Sequence, residues 1–232
     1  MKKIKIPVLL FFLCVSATAF SQSKTIQIYV TPTFGNTVLR LSDSSFKTAD
    51  TANLQIDVLR FYISDIQFLK NGKIVLQEQN SFHLVDAADE KTFNISVDHK
   101  QNIDYDEVKF NLGIDSATNV SGAMGGDLDP TKGMYWTWQS GYINFKLEGT
   151  SKLCNTRNHE FTFHLGGYQQ SNYCLQTLSF PINNSGVIKL KLDVQKTLTQ
   201  IDLVKTNHIM SASEEAVVIS KIVANAFSIS EN

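Results

Sequence analysis

The feature that most constrains this chain is a two-residue alternation of apolar and polar side chains that returns in segment after segment. Val108, Phe110, Leu112 and Ile114 alternate with Lys109, Asn111 and Gly113, and Ile143, Phe145 and Leu147 alternate with Asn144, Lys146 and Glu148. The pattern recurs in Phe161, Phe163 and Leu165 around Thr162 and His164, and in Ile188, Leu190, Leu192 and Val194 around Lys189, Lys191 and Asp193. Successive side chains of a strand point to opposite faces, so each segment reads as a strand with one face in a core and one toward water. Further strands are expected near 25–31, 54–69 and 81–85, with Asn71-Gly72 as a tight hairpin turn between 61–69 and 73–77. Within 54–69 the apolar phase slips from Leu54, Ile56 and Val58 to Phe61 and Ile63, then to Ile66 and Phe68, which predicts a bulge or a bend. One helix is expected near the C-terminus, where Ser211 and Glu214 have capping-box spacing ahead of Val218, Ile219, Ile222, Val223 and Ala226. Many short strands and one late helix predict an all-β, β-sandwich-like domain rather than a βαβ architecture.

Ahead of the first strand, Lys2, Lys3 and Lys5 precede an apolar run from Ile6 to Val15 and the small residues Ala17, Ala19 and Ser21. That order predicts a secretory signal peptide over 1–21 and a mature domain over 22–232. The apolar run is shorter than the roughly 20 residues a spanning helix needs, and no later stretch reaches that length, so no transmembrane segment is expected. Cys14 raises a lipoprotein alternative, which the bulky Phe11, Phe12 and Leu13 before it argue against. Cleavage would take Lys+Arg from 21 to 18 against 22 Asp+Glu, a net charge of −4, which speaks against nucleic acid as a partner. Export also favours a disulfide between Cys154 and Cys174, the alternative being a pair of soft metal ligands.

Common enzyme signatures are absent: there is no GxSxG, HExxH, P-loop or dinucleotide-binding glycine pattern, so a non-catalytic protein is expected. Periodicity fails over 115–134, where Gly122, Gly125, Gly126, Pro130 and Gly133 mark a long loop of the kind that carries function. It runs into Met134-Tyr135-Trp136-Thr137-Trp138-Gln139-Ser140-Gly141-Tyr142, which holds both tryptophans. Two residues apart on a strand, Trp136 and Trp138 would share a face, either as core anchors or as part of a ligand or metal site. His164, on the polar phase of an apolar strand, is the most suggestive of the histidines, and His208 with Met210 offers a soft imidazole and thioether pair suited to copper. Asp127 and Asp129 have oxygens for a hard cation but no EF-hand spacing, and Asp129-Pro130 reads as a turn.

Taken together, Leu128-Asp129-Pro130, the string from Gly133 to Tyr142, Phe163-His164-Leu165-Gly166 and Cys174 resemble the MbnP-like copper-binding proteins. Arg60-Phe61-Tyr62-Ile63-Ser64-Asp65 and Ile222-Val223-Ala224-Asn225 extend the resemblance over most of the mature chain. It implies a secreted or periplasmic β-rich protein that binds copper through two histidines and a tryptophan oxidised to kynurenine by a partner di-haem enzyme. By that resemblance Trp136 and Trp138 match the tryptophan motif and His164 the His-Leu-Gly motif. Ser64 stands where copper-binding relatives place a histidine, so a second imidazole would have to come from His208 or His83. The alternative is a β-sandwich binding module that kept the scaffold and lost the copper site.

Overall fold

The structure is a computed structural model and describes residues 24–43, 46–47, 53–99 and 102–230. The expected signal peptide and Cys14 lie outside the described residues. In chain order the strands begin with β1 (Lys24–Phe34), β2 (Thr37–Val38), β3 (Phe46–Lys47), β4 (Asn53–Lys70), β5 (Lys73–Gln77), β6 (Phe82–Asp86), β7 (Asn94–His99) and β8 (Glu107–Leu112). A short helix α1 (Ser116–Val120) leads to β9 (Tyr135–Trp136), β10 (Gly141–Ser151), β11 (Glu160–Gly166), β12 (Gln176–Pro181) and β13 (Val187–Asp193). The chain then forms α2 (Val194–Leu198), β14 (His208–Ile209), α3 (Glu214–Ala224) and β15 (Phe227–Ile229).

Two sheets result. The smaller runs β15-β13-β1-β2 with β7 also on β1, and the larger runs β12-β8-β4-β10-β11-β14, with β3, β5 and β6 on β4 and β9 on β10. One shared core lies between them: Ile28, Val30, Leu190 and Leu192 of the small sheet pack with Leu59, Phe61, Phe145, Leu147 and Phe163 of the large one. These are the apolar phases of the alternating segments, so the β-sandwich-like, all-β expectation holds. The phase slips in 54–69 are register shifts of β4 against its neighbours, including one between Ser64 and Gln67 where Asp65 takes a left-handed φ of 51°. Asn71 and Gly72 have φ of 50° and 73°, the geometry of a type I′ hairpin turn between β4 and β5.

Local chemistry moved two expected boundaries. Strand β13 stops at Asp193, not Val194, because the Asp193 carboxylate accepts the backbone N–H groups of Gln195 and Lys196 and caps α2. The C-terminal helix is capped by Ser213 rather than Ser211, its hydroxyl accepting the N–H of Ala216, and it buries Ala216, Ile219 and Val223 in the main core. No helix among the described residues is long and apolar enough to cross a membrane.

The glycine-rich stretch is not an open loop. It lays a second apolar layer on the outer face of the large sheet, where Ile114, Leu128, Met134 and Trp136 pack with Tyr62, Leu84, Tyr142 and Ile143. Glycines free the chain to turn there, and buried polar side chains hold it down. Asn119 Oδ1 accepts the Tyr142 N–H at 2.8 Å while its Nδ2 donates to the carbonyls of Ile114 and Asp115. Tyr62 donates its hydroxyl to the Asp127 carbonyl at 3.0 Å, and burial pushes the phenol well above its ordinary pKa, which keeps that proton in place. Asp127 also accepts the Leu84 N–H and pairs with Lys132 at 2.6 Å, and Asp129 caps the turn that starts at Pro130. Both carboxylates are thus engaged in fastening this segment, in line with their reading as turn residues.

The disulfide expectation is corrected: Cys154 and Cys174 are both buried free thiols. They sit at opposite ends of β11. The Cys154 carbonyl is bonded by the His159 ring just before the strand, and the Cys174 N–H donates to Gly167 just after it. Seven strand residues at about 3.3 Å each put roughly 20 Å between those ends, against the 4.4–6.8 Å between Cα atoms that a disulfide needs. Burial raises both thiol pKa values, that of Cys174 to about 11, and the same separation keeps the two sulfurs from ligating one metal ion together.

Candidate metal centre

Cross-strand register decides which candidate side chains meet. In the large sheet Asp86 lies opposite Arg60, Arg60 opposite Lys146, and Lys146 opposite His164. Directly opposed residues share a face, so these four form one row on the outer face, the face that the glycine-rich segment covers in part. Parallel pairing of Thr162 with His208 brings His208 to the same face on the neighbouring strand. His208 is close enough that its charge disfavours protonation of His164.

His83 does not join this group. It lies three residues from Asp86 along β6, an odd step that turns it to the opposite face, and three strands from β11, or about 14 Å at 4.8 Å per strand. There its Nε2 bonds Glu78 at 2.8 Å. His208 and Met210 both line an open groove of about 470 Å³ along the outer edge of the sheet, together with Lys205, Asn207 and Glu215.

The tryptophans divide. Trp136 is 5% exposed and Trp138 67% exposed, with ring centroids 6.0 Å apart. Trp138 falls in the turn between β9 and β10, so the two are not on one strand as the spacing suggested, although their rings lie side by side. Trp136 sets the edge of its six-membered ring against Gly166, two residues beyond His164 on the same side of β11. A Cβ at Gly166 would stand 2.8 and 3.0 Å from the indole ring and 2.6 Å from the Tyr142 carbonyl oxygen. Only glycine leaves room there for the ring. Trp136 Nε1 is buried with no hydrogen-bond partner, and so is Gln139 Oε1 in the same turn. An unpartnered donor and an unpartnered acceptor thus lie in the same turn, each a polar atom that protein groups alone leave unsatisfied.

His164 itself is 6% exposed. Its Nε2 meets Glu148 Oε1 at 2.6 Å, and Lys146 Nζ stands 3.3 Å from the same oxygen. Burial lowers the pKa of His164 and outweighs the opposing pull of Glu148, so the imidazole is neutral near pH 7. Burial raises the pKa of Glu148, but the hydrogen bond from His164 and the charge of Lys146 bring it below the ordinary value, so the carboxylate stays ionised. Among the described residues no three His, Cys, Asp or Glu side chains gather as a metal-binding group. A metal here would therefore need donors of other types.

Glu148, Lys146, Gly166 and Gln139 were not legible as site residues. Glu148 and Lys146 look like the wet phase of an ordinary strand until the β10–β11 register is known. Gly166 and Gln139 stood within the quoted motifs without a role.

The MbnP family model matches residues 23–211. The chain belongs to the MbnP family. In keeping with this, the fold is similar to that of the solved MbnP from Methylosinus trichosporium, with a TM-score of 0.60 over 83% of each chain at 11% identity. No curated protein matches the chain. The motifs that carry the MbnP resemblance are brought together by the fold: Trp136, Gly166 and His164 adjoin on one face although up to thirty residues separate them in sequence.

Proposed function

We propose that this MbnP protein is an exported, non-catalytic copper-binding protein whose metal lies on the outer face of the large sheet. The observation that carries this reading is the assembly on one face of neutral His164, neighbouring His208 and the ring of Trp136 with its unpartnered nitrogen. The donor chemistry fits copper: two imidazoles and, at the edge groove, the Met210 thioether are soft to borderline ligands. A neutral indole is a poor ligand. Oxidation of Trp136 or Trp138 to kynurenine by a di-haem partner would supply an amine and a carbonyl. Trp136 suits that role by its position over β11, and Trp138 suits approach by a partner through its exposure. The protein's own residues hold, orient and shield. Gly166 admits the ring, Glu148 fixes the imidazole, and the layer through Met134 and Tyr142 keeps water from the inner side.

One observation favours a second reading, a scaffold that has lost the copper site: the described residues bring no three conventional ligands together. Competitive copper titration separates the two. Wild-type protein from the native host should bind one copper, with binding lost in His164→Ala and weakened in His208→Ala. Equal, weak uptake by all three proteins would leave the second reading standing. Intact mass of the same samples reports whether an indole carbon has been exchanged for oxygen.

A further inference from the structure

The Glu148–His164 contact carries a consequence for which ring nitrogen is offered to a ligand. An ionised carboxylate can only accept hydrogen bonds, so the 2.6 Å contact between Nε2 and Glu148 Oε1 places the imidazole proton on Nε2. A neutral ring has one proton, and Nδ1 is then left with its lone pair free and with no protein partner among the described residues. Glu148 is itself held: Lys146 reaches the same oxygen at 3.3 Å, and the Lys146 ammonium also donates to the Gly133 carbonyl at 3.5 Å, where the covering segment meets the sheet. The three side chains therefore form a chain from the covering segment to the imidazole. Glu148 adjoins His164 only through the β10–β11 pairing, in which Lys146 faces His164 and Glu148 faces Thr162.

We infer that Glu148 is a positioning residue that locks His164 in the Nε2–H tautomer, so that Nδ1 is the nitrogen that binds the metal. The inference rests on the copper reading above for the identity of the metal, but the tautomer is a property of the metal-free protein. In metal sites a histidine ligand commonly donates its other N–H to a carboxylate, and loss of that partner typically lowers metal affinity about 10- to 100-fold. Glu148→Gln keeps the size of the side chain. Its amide can accept from or donate to the ring, so it no longer dictates the tautomer.

The test has two arms. In metal-free wild-type protein labelled with ¹⁵N-histidine, long-range ¹⁵N–¹H correlation should show His164 with a protonated Nε2 and a pyridine-type Nδ1. In Glu148→Gln the Nδ1 and Nε2 shifts should move toward the average of the two tautomers, and copper affinity by competition with a chromophoric chelator should fall about 10- to 100-fold. An Nδ1–H tautomer in the wild type overturns the inference even if copper binds. Unchanged copper affinity in a folded Glu148→Gln protein overturns the positioning role. No copper uptake by the wild type, with the Nε2–H tautomer present, overturns the metal reading and with it the assignment of Nδ1 as ligand.

Discussion

Replacing Gly166 with alanine tests whether the Trp136 ring is laid against β11 as tightly as the geometry requires. The backbone of Gly166 is not left-handed, so the added methyl acts through space alone. It would meet the Tyr142 carbonyl oxygen at 2.6 Å and the indole at 2.8 and 3.0 Å, all inside ordinary contact of about 3.5 Å. The carbonyl belongs to β10 and cannot retreat without straining the strand pair, so the ring must lift. Full release of a buried tryptophan, with roughly 150–250 Å² returned to water at about 25 cal/mol per Å², would cost about 4–6 kcal/mol. Partial lifting falls in the range of core overpacking, about 1–3 kcal/mol, from which the lower entropy of an unfolded chain with alanine takes back up to about 1 kcal/mol. A net loss of about 1–2 kcal/mol is expected. Urea unfolding followed by circular dichroism reads the stability, and tryptophan emission in a Trp138→Phe background reads the ring, which should shift to the red. An unchanged midpoint together with unchanged emission would refute the close packing of Trp136 on β11.

Further outcomes follow from the same geometry. Asn119→Ala removes the acceptor for the Tyr142 N–H and the donor to two carbonyls, all buried, and should destabilise the protein by about 2–4 kcal/mol in urea unfolding. Trp138→Phe, at an exposed turn position, should change stability by less than about 0.5 kcal/mol in the same assay. Cys154 and Cys174 should both be alkylated without prior reduction, but only in denaturant; resistance to alkylation until a reductant is added would show a disulfide. In metal-free protein the pKa of His164 is lower folded than unfolded, so the unfolded chain binds the extra proton first. Stability from this residue is whole above its ordinary value of 6.5 and declines as pH falls below it, a slope that His164→Gln should remove from urea midpoints measured between pH 5 and 7.5. Glu148 acts in the same direction at lower pH, its contribution being present above its ordinary 4.5 and lost as pH falls through its lowered folded value.

What could be read from the sequence was whatever repeats at short range. Alternation in Phe161 to Leu165 and Ile188 to Leu192 fixed strands and their buried faces, Asn71-Gly72 fixed a hairpin, and the phase slip after Val58 foretold the shifts of β4. Long-range pairing was not readable, because the same alternation permits many registers. For that reason Glu148 passed for a solvated strand residue and His83 passed for a possible partner of His164, although pairing sends it to the opposite face. The 115–134 segment was read as a long loop because its apolar residues, Leu128 and Met134 among them, are spaced by turns rather than by a regular period. For Cys154 and Cys174 the expectation rested on an even count in the expected mature domain and on expected export, neither of which carries distance information.

The central claim is that this face of the large sheet holds copper through His164. Metal analysis of protein purified from its native host, after exhaustive dialysis against a chelator, tests it most directly. The expected result is about one copper per wild-type chain and none in folded His164→Ala. Copper-free wild-type protein, or equal copper in both, would contradict it.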